Sequence, residues 1–220
     1  MTLQDLRYFL VTPTGTGMDP EYCSSLVRTW KHLMGRGLPL PVYLNSVGPE
    51  VPNLHALLDE CQRSRTAEAG IFWVGADHSW TPESLVLILE AACARPEAVI
   101  GGLYPMANGG GFDAEQFAPG ALPDGSRSTP DLLPALYLGW GFIWTPFSVF
   151  DRLKPPFWRW EIRRSEDGKR AWWGGPDIEF STACREAGIE VLAHARAADI
   201  GHGQRLGHLT AEQLIQRAQR

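Results

Sequence analysis

The first half of the chain alternates short apolar runs with segments of helical spacing, and this alternation limits the fold more than any other feature. The apolar runs, which we expect to be strands, cover residues 7–11, 41–44, 69–74 and 98–104. Three predicted helices lie between them, at residues 20–34, 53–61 and 82–94. Asn53 is the expected N-cap of the second helix, and Thr81 directly precedes the third. Alternating elements of this length predict an α/β fold, a mostly parallel sheet flanked by helices.

The second half of the chain departs from this alternation. Residues 106–133 are rich in Gly, Pro, Asp and Ser, which predicts a mobile loop. The later predicted elements are an apolar segment at 136–143, a hairpin with strands at 157–162 and 169–173, a helix at 176–188 that ends at Gly188, a strand at 190–193 and an amphipathic helix at 210–220.

Charge and cysteine spacing exclude several classes of protein. The 220 residues carry a net charge of −5, so no general basic field favours nucleic acid or an anionic membrane. The four cysteines form no CxxC pair, which predicts reduced thiols rather than a zinc or redox site. The N-terminus lacks the basic region of a signal peptide, and every apolar stretch is interrupted well before about 18 residues. We therefore expect a cytoplasmic protein without a membrane span.

An acidic residue follows the third predicted strand, in the segment GADHSWTPESL at residues 75–85. Ligands of open α/β sheets bind outside the carboxyl ends of the strands, which is where Asp77 lies. A carboxylate at this place can hold a divalent cation that bridges a diphosphate. The alternative is that Asp77 only caps the turn before the next helix.

Two further residues have positions suited to chemistry. Asp177 opens a predicted helix behind a Gly-Gly-Pro loop, where the helix N-terminus favours its ionised form and it could act as a base. His202 lies between two glycines after the last core strand, and a neutral imidazole can bind a metal. The alternatives are an ordinary first-turn aspartate and a solvated histidine.

The glycine-rich segment TPTGTG at residues 12–17 follows the first predicted strand. It does not have the GxGxxG spacing of a dinucleotide site, although it could still surround a nucleotide base. It also lacks the Arg or Lys that a nucleotidyltransferase would require after this strand. The chain contains neither GxSxG nor HExxH.

Taken in order, these segments resemble the GT-A class of glycosyltransferases, especially the small bacterial and phage members of its family-2-like group. The segments that carry the resemblance are GADHSWTPESL (75–85), AVIGGLYP (98–105), GWGFIWTPFSVFDRL (139–153), PDIEF (176–180) and IGH (200–202). The resemblance spans residues 7–205. It implies one GT-A-like, Rossmann-like domain over residues 1–220, with a nucleotide-binding half at 1–104 and an acceptor-side half at 105–220 that ends in a hairpin and a short helix.

The resemblance also implies a function and a site. The donor would be a nucleotide diphosphate sugar, expected to be a UDP-sugar, held with Mn²⁺ or Mg²⁺. Asp77 and His202 would bind the metal, and Asp177 would deprotonate an acceptor hydroxyl in an inverting displacement. The remaining donor-binding residues would be Thr12, Pro13, Thr14, Asn45, Ser46, Gly102 and Trp140.

Two positions depart from the pattern of the class. Gly75 replaces the first acid of its Asp-x-Asp motif, and Pro176 replaces the acid that precedes the catalytic Asp. Both departures leave open a second interpretation, a non-catalytic module that binds a sugar nucleotide or a glycan.

The acceptor is less constrained than the donor. Residues 151–170 contain seven cationic and four acidic residues, interleaved with tryptophans that continue to Trp173. Such a strip can pack as an ordinary hairpin, stack on a carbohydrate, or bind nucleic acid such as a hydroxymethylated DNA base. The acidic pI of about 5.7 argues modestly against nucleic acid.

Overall fold

The computed structural model describes residues 1–15, 17–104, 114–116, 131–164, 169, 171–203 and 209–210. Its strands are β1 (Tyr8–Thr14), β2 (Val42–Val47), β3 (Gly70–Val74), β4 (His78–Trp80), β5 (Val99–Gly101), β6 (Ala114–Gln116), β7 (Leu132–Leu138), β8 (Phe142–Pro146), β9 (Glu161–Arg164), β10 (Ala171–Gly174), β11 (Val191–His194), β12 (Ile200–His202) and β13 (Leu209–Thr210). Its helices are α1 (Pro20–Gly35), α2 (Glu50–Ser64), α3 (Pro82–Ala94), α4 (Phe147–Arg152) and α5 (Pro176–Glu186).

Among the described residues, eight strands form the central sheet, in the order β2-β1-β3-β8-β5-β11-β7-β6. Strands β7 and β8 are antiparallel to the other six of these strands, which all point the same way, so the sheet is mostly parallel. The expected α/β class, a mostly parallel sheet flanked by helices, is confirmed.

Alternate residues of the central strands face opposite layers of the molecule. On β1, Phe9 and Val11 belong to the cluster that contains side chains of α2, α4 and α5, whereas Tyr8 and Leu10 belong to the cluster of α1 and α3. Because helices cover both faces, the first four residues of β1, residues 8–11, are all apolar and buried rather than alternately so. This burial makes the sheet a rigid base for the loops at its carboxyl edge.

A second, smaller sheet lies beside the first. Strand β12 pairs with β4 and with β13, both antiparallel. The sequence analysis did not predict β4 or β12, because each has only three residues and neither shows a clear period. Their pairing joins the segment after β3 to the segment after β11, and it positions the site described below.

Several local predictions are confirmed. The Thr81 hydroxyl caps α3 by accepting a hydrogen bond from the Ser84 amide at 3.3 Å. Strands β9 and β10 form the predicted antiparallel hairpin, but β9 begins at Glu161 and not at residue 157, and it includes Arg163 and Arg164 of the predicted turn. Gly188 follows α5 with a φ of 68°, a left-handed conformation that glycine adopts without strain.

Other local predictions need correction. Helix α2 begins at Glu50, so Asn53 is not its N-cap but lies inside the helix, where its side-chain amide donates to the Ser46 carbonyl at 2.9 Å. The predicted loop at 106–133 falls largely outside the described residues, yet it includes β6 and the start of β7. The apolar segment 136–143 divides between β7 and β8. Residues 211–220 of the predicted C-terminal helix lie outside the described residues, and Thr210 belongs to β13.

Among the described residues, the helices are too short or too polar to cross a bilayer.

Candidate active site

A pocket of about 500 Å³ opens at the carboxyl edge of the central sheet. Its walls come from the segments that follow β1 and β3, from the first turns of α2 and α5, and from the turn between β7 and β8. This is the edge at which ligands of open α/β sheets bind.

Three side chains in the pocket form a set of potential metal ligands. One oxygen of Asp77 lies 2.8 Å from Nδ1 of His78, and the other lies 3.1 Å from Nε2 of His202. One ligand atom from each of the three residues falls within 4.8 Å of the others. The His78 side chain is buried, whereas Asp77 is 53% exposed and faces the pocket.

Backbone pairing brings these three residues together. His202 of β12 lies directly opposite His78 of β4 in the antiparallel pair. The Gly203 amide then donates to the Asp77 carbonyl at 2.7 Å, which holds the two segments in register beside the carboxylate. Tyr104 packs edge-on against both imidazole rings.

The Asp77 carboxylate is held in its ionised form. Burial by itself opposes ionisation, but the hydrogen bonds from His202 and His78 outweigh it and place the pKa of Asp77 well below its ordinary value. A carboxylate that stays ionised and two imidazole nitrogens are ligands that a divalent cation accepts.

Packing around His78 explains why residue 75 is glycine. A Cβ atom at Gly75 would lie 2.6 Å from His78 Nδ1 and 3.1 Å from an oxygen of Asp77. A Cβ atom at Gly141 would overlap the His78 ring from another side. The His78 imidazole therefore occupies the space that an acid at residue 75 would need. The sequence analysis assigned His78 no role.

Asp177 lies in the first turn of α5, as predicted, and lines the same pocket. Its Oδ1 accepts a hydrogen bond from the Ile178 amide at 2.9 Å. Burial raises the pKa of Asp177 above its ordinary value, against the effect of the backbone hydrogen bonds. The residue before Asp177 is Pro176, which is the first residue of α5 and is buried. No second carboxylate therefore precedes Asp177 in the helix.

Glu50 is a pocket residue that the sequence analysis missed. It occupies the first turn of α2, after the end of β2. Burial and the neighbouring charge of Asp177 raise the pKa of Glu50. The position of Glu50 after a strand end could have indicated it, but nothing in the sequence connects it with Asp177, which is far away along the chain.

The structure separates the predicted site residues into two groups. Those that line the pocket are Pro13, Thr14, Asp77, Trp140, Asp177 and His202. Within the part of the chain that the structure describes, Thr12, Asn45, Ser46 and Gly102 are not among the lining residues.

The residues of the second group lie in the core or on the neighbouring strand β2 rather than in the pocket wall. The Thr12 hydroxyl is buried and hydrogen-bonds with the hydroxyl of Tyr22. Asn45 and Ser46 lie on the neighbouring strand β2, paired with residues of β1. Gly102 is buried, and a Cβ atom there would lie 2.9 Å from the Ala197 carbonyl oxygen and overlap Ile200.

The tryptophans before the hairpin also divide in two. Trp158 is 1% exposed and packs against Trp140 and Phe180 in the core. Trp160 is 55% exposed and lines the pocket. The packing interpretation therefore holds for Trp158, whereas Trp160 has a free aromatic surface.

The charge of the pocket wall is strongly negative. Four described lining residues are acidic: Asp19, Glu50, Asp77 and Asp177. None of the described lining residues is Lys or Arg. A multiply charged anion would therefore need a cation in order to bind here.

Comparisons with known proteins support the fold. No protein-family model matches the sequence, and no curated protein matches it. Among solved structures, GalNAc-T7 with UDP, GalNAc and Mn²⁺ matches with a TM-score of 0.54 and 10% identity, over 90% of this chain and 44% of that one. The fold is of the Rossmann-like GT-A type. The match covers 44% of the GalNAc-T7 chain, so this chain spans less than half of its length. At 10% identity the likeness shows the fold alone.

A second solved structure, a nucleoside-diphosphate-sugar pyrophosphorylase from Vibrio cholerae RC9, matches with a TM-score of 0.38 and 9% identity. The match covers 99% of this chain and 82% of that one.

Proposed function

We propose that this protein is a glycosyltransferase that moves a sugar from a nucleotide diphosphate sugar, a UDP-sugar, to an acceptor hydroxyl with the help of a divalent cation. The observation that carries the proposal is the composition of one pocket. A potential metal set and a partly buried aspartate at a helix N-terminus share it, at the sheet edge where a GT-A fold binds its ligands. The structural neighbour GalNAc-T7, solved with UDP and Mn²⁺, is consistent with this donor.

The pocket wall accounts for the proposed need for a cation. A diphosphate would face four carboxylates and no described Lys or Arg, so it would be repelled without a counter-charge. Asp77, His78 and His202 would hold the cation, which when bound would neutralise the diphosphate and stabilise the leaving group. Two imidazoles and one carboxylate suit Mn²⁺ better than Mg²⁺, which prefers oxygen ligands and retains its waters.

The predicted donor residues would act from two positions. Pro13, Thr14 and Trp140 would contact the donor directly, because they line the pocket. Thr12 and Gly102 would support the loops from behind, and Asn45 and Ser46 would border the donor from the next strand. Thr14 has a hydroxyl that is buried without a hydrogen-bond partner among the described residues, so it is suited to a donor oxygen.

Asp177 would act as the base. Its carboxylate would take the proton of the acceptor hydroxyl while the acceptor oxygen bonds to the anomeric carbon of the donor. The bond from that carbon to the diphosphate oxygen breaks in the same displacement, and the electron pair leaves with the nucleoside diphosphate. A raised pKa suits this role, since it makes the carboxylate a stronger base.

Calorimetry of UDP binding, with and without Mn²⁺, tests the donor and the metal. We expect binding that requires Mn²⁺ and that falls by at least about tenfold in Asp77→Asn, as for loss of a metal ligand or its support. Asp59→Asn is the matched control, an exposed aspartate on α2 that is not among the lining residues. Equal UDP affinity with and without metal would contradict the proposal.

A panel of UDP-sugars, incubated with the native protein and Mn²⁺, tests for chemistry. Release of UDP would support a transferase. Tight binding of UDP and Mn²⁺ without any release would instead favour the second interpretation, a non-catalytic sugar-nucleotide module.

A further inference from the structure

We propose that Glu50 and Asp177 together form the acceptor site, with Trp160 as its stacking surface, and that the acceptor is a carbohydrate with neighbouring hydroxyl groups and no phosphate. The inference rests on the proposed function and extends it to the acceptor. It depends on three features of the pocket wall, namely a pair of carboxylates, an aromatic surface and the absence of cationic side chains among the described lining residues.

The two carboxylates come from different helices but line the same pocket. Glu50 is in the first turn of α2 and Asp177 in the first turn of α5, and both line the pocket. They are close enough for the charge of Asp177 to act on Glu50. Both helix N-termini favour negative charge, whereas burial raises the pKa of both carboxyl groups and the charge of Asp177 further raises that of Glu50.

Trp160 lies beside this pair. A Cβ atom at Gly175 would be 2.5 Å from Oδ1 of Asp177 and 3.9 Å from Cζ3 of Trp160, so the carboxylate and the indole flank the same glycine. More than half of Trp160 is exposed, although indole burial is favourable, which leaves a flat apolar surface for a ligand.

Two buried polar groups of the pocket wall are compatible with a polar ligand. Thr14 is 3% exposed and Trp140 is 8% exposed, and both line the pocket. The Thr14 hydroxyl and the Trp140 indole N–H are buried with no hydrogen-bond partner among the described residues. Buried polar groups in native proteins are usually satisfied, so a bound ligand is a natural partner for them.

This chemistry selects a neutral polyol over a nucleic acid. Ionised carboxylates only accept hydrogen bonds, so they bind hydroxyl groups and repel phosphates. The aromatic surface suits the apolar face of a sugar ring. Nearby Arg159 does not offset the negative wall, because it already forms ion pairs with Glu161 at 3.0 Å and Glu179 at 3.9 Å.

The test compares binding of neutral sugars and of DNA. A panel of methyl hexopyranosides is titrated into the metal-free protein and followed by saturation-transfer NMR. We expect one or more to bind the native protein, and Glu50→Gln to weaken that binding by at least about tenfold, as for loss of a hydrogen bond to a charged group. Glu50→Asp keeps the charge and should restore part of the affinity. Asp59→Asn on the same helix is the control.

If Glu50 only stabilised the fold, its replacement would also lower the melting temperature and the UDP affinity. We therefore expect Glu50→Gln to keep the melting temperature of the native protein, and to bind UDP with Mn²⁺ at least as tightly, because it removes one of the carboxylates that face the diphosphate. If Glu50→Gln binds sugars as well as Asp59→Asn does, or if no glycoside binds the native protein, the inference is wrong while UDP binding still supports the proposed function. Loss of UDP binding in the native protein would count against the proposed function itself.

Fluorescence anisotropy with a short single-stranded oligodeoxynucleotide tests the alternative, a nucleic-acid acceptor. We expect no binding at low salt. Binding that weakens steeply between about 50 and about 200 mM salt would show phosphate contacts and would overturn the inference in favour of a nucleic-acid acceptor.

Discussion

His202 and His78 stack face to face, with ring centroids 4.3 Å apart and planes inclined by 22°. They are opposite residues of the antiparallel β4–β12 pair, and each directs a ring nitrogen to a different oxygen of Asp77. The carboxylate between two imidazoles is thus fixed by backbone pairing rather than by the flexibility of a loop. A cation that binds here would replace these hydrogen bonds, and its binding would release any proton held on the two facing nitrogens.

Restoring an acid at residue 75 should weaken the metal site rather than strengthen it. In Gly75→Asp, the new Cβ atom would have to displace the His78 ring, which lies 2.6 Å away. We expect lower Mn²⁺ affinity by calorimetry. Gly35→Ala is the control, since a Cβ atom there meets no heavy atom within 4 Å. Tighter Mn²⁺ binding in Gly75→Asp would show that His78 is not needed as a ligand.

Replacing Asp177 should remove chemistry and spare donor binding. For Asp177→Asn we expect UDP affinity with Mn²⁺ at least equal to that of the native protein, because one carboxylate that faces the diphosphate is neutralised. We expect a loss of about 100- to 10,000-fold in kcat, the range for a general base. Transfer at the native rate would reduce Asp177 to a helix-start residue.

The pH dependence of transfer tests the same residue in the native protein. A base must be deprotonated, so kcat should fall as the pH decreases through the raised pKa of Asp177. The acid limb should therefore lie above the ordinary aspartate value of about 3.9. An acid limb at or below that value would contradict the assignment.

Gly102 should prove to be a packing position and not a direct donor contact. Gly102→Ala would press a methyl group against Ile200 and the Ala197 carbonyl, at a cost of about 1–3 kcal/mol for overpacking. We expect a lower melting temperature with the same UDP affinity per folded molecule, and Gly35→Ala as the unaffected control. A loss of UDP affinity without loss of stability would return Gly102 to the donor site.

His194 should make the protein less stable in mild acid. Burial lowers its pKa, Asp131 opposes that effect, and Arg196 adds to it. The pKa of His194 in the folded protein lies below the unfolded value of about 6.5. The stability that comes from keeping His194 neutral is therefore complete above about pH 6.5, and it is lost as the pH falls from there through the lower folded pKa. We expect the urea midpoint of the native protein to fall more between about pH 7.5 and about pH 5.5 than that of His194→Gln. Equal decreases in the two proteins would exclude this contribution.

Local sequence patterns predicted the mostly parallel α/β sheet and the positions of three site residues along the chain. Local periodicity predicted the helices and strands of the first half, because each element buries one or both faces and its apolar spacing reflects that burial. Strand ends marked Asp77 and His202, and a helix start marked Asp177. The structure brings these three residues to one pocket, and their roles stay predictions until the experiments above are done.

The neighbours of these residues depend on long-range packing. The short strands β4 and β12 have no period to detect, yet their pairing places His78 and His202 on the two oxygens of Asp77. Glu50 and Asp177 line the same pocket because two helices that are distant in sequence both begin at the carboxyl edge of the sheet. The direction of a side chain and the space around it depend on long-range packing, which local sequence does not encode. For that reason Gly75 was interpreted from the sequence as a missing acid, whereas the fold shows it as the space that His78 fills.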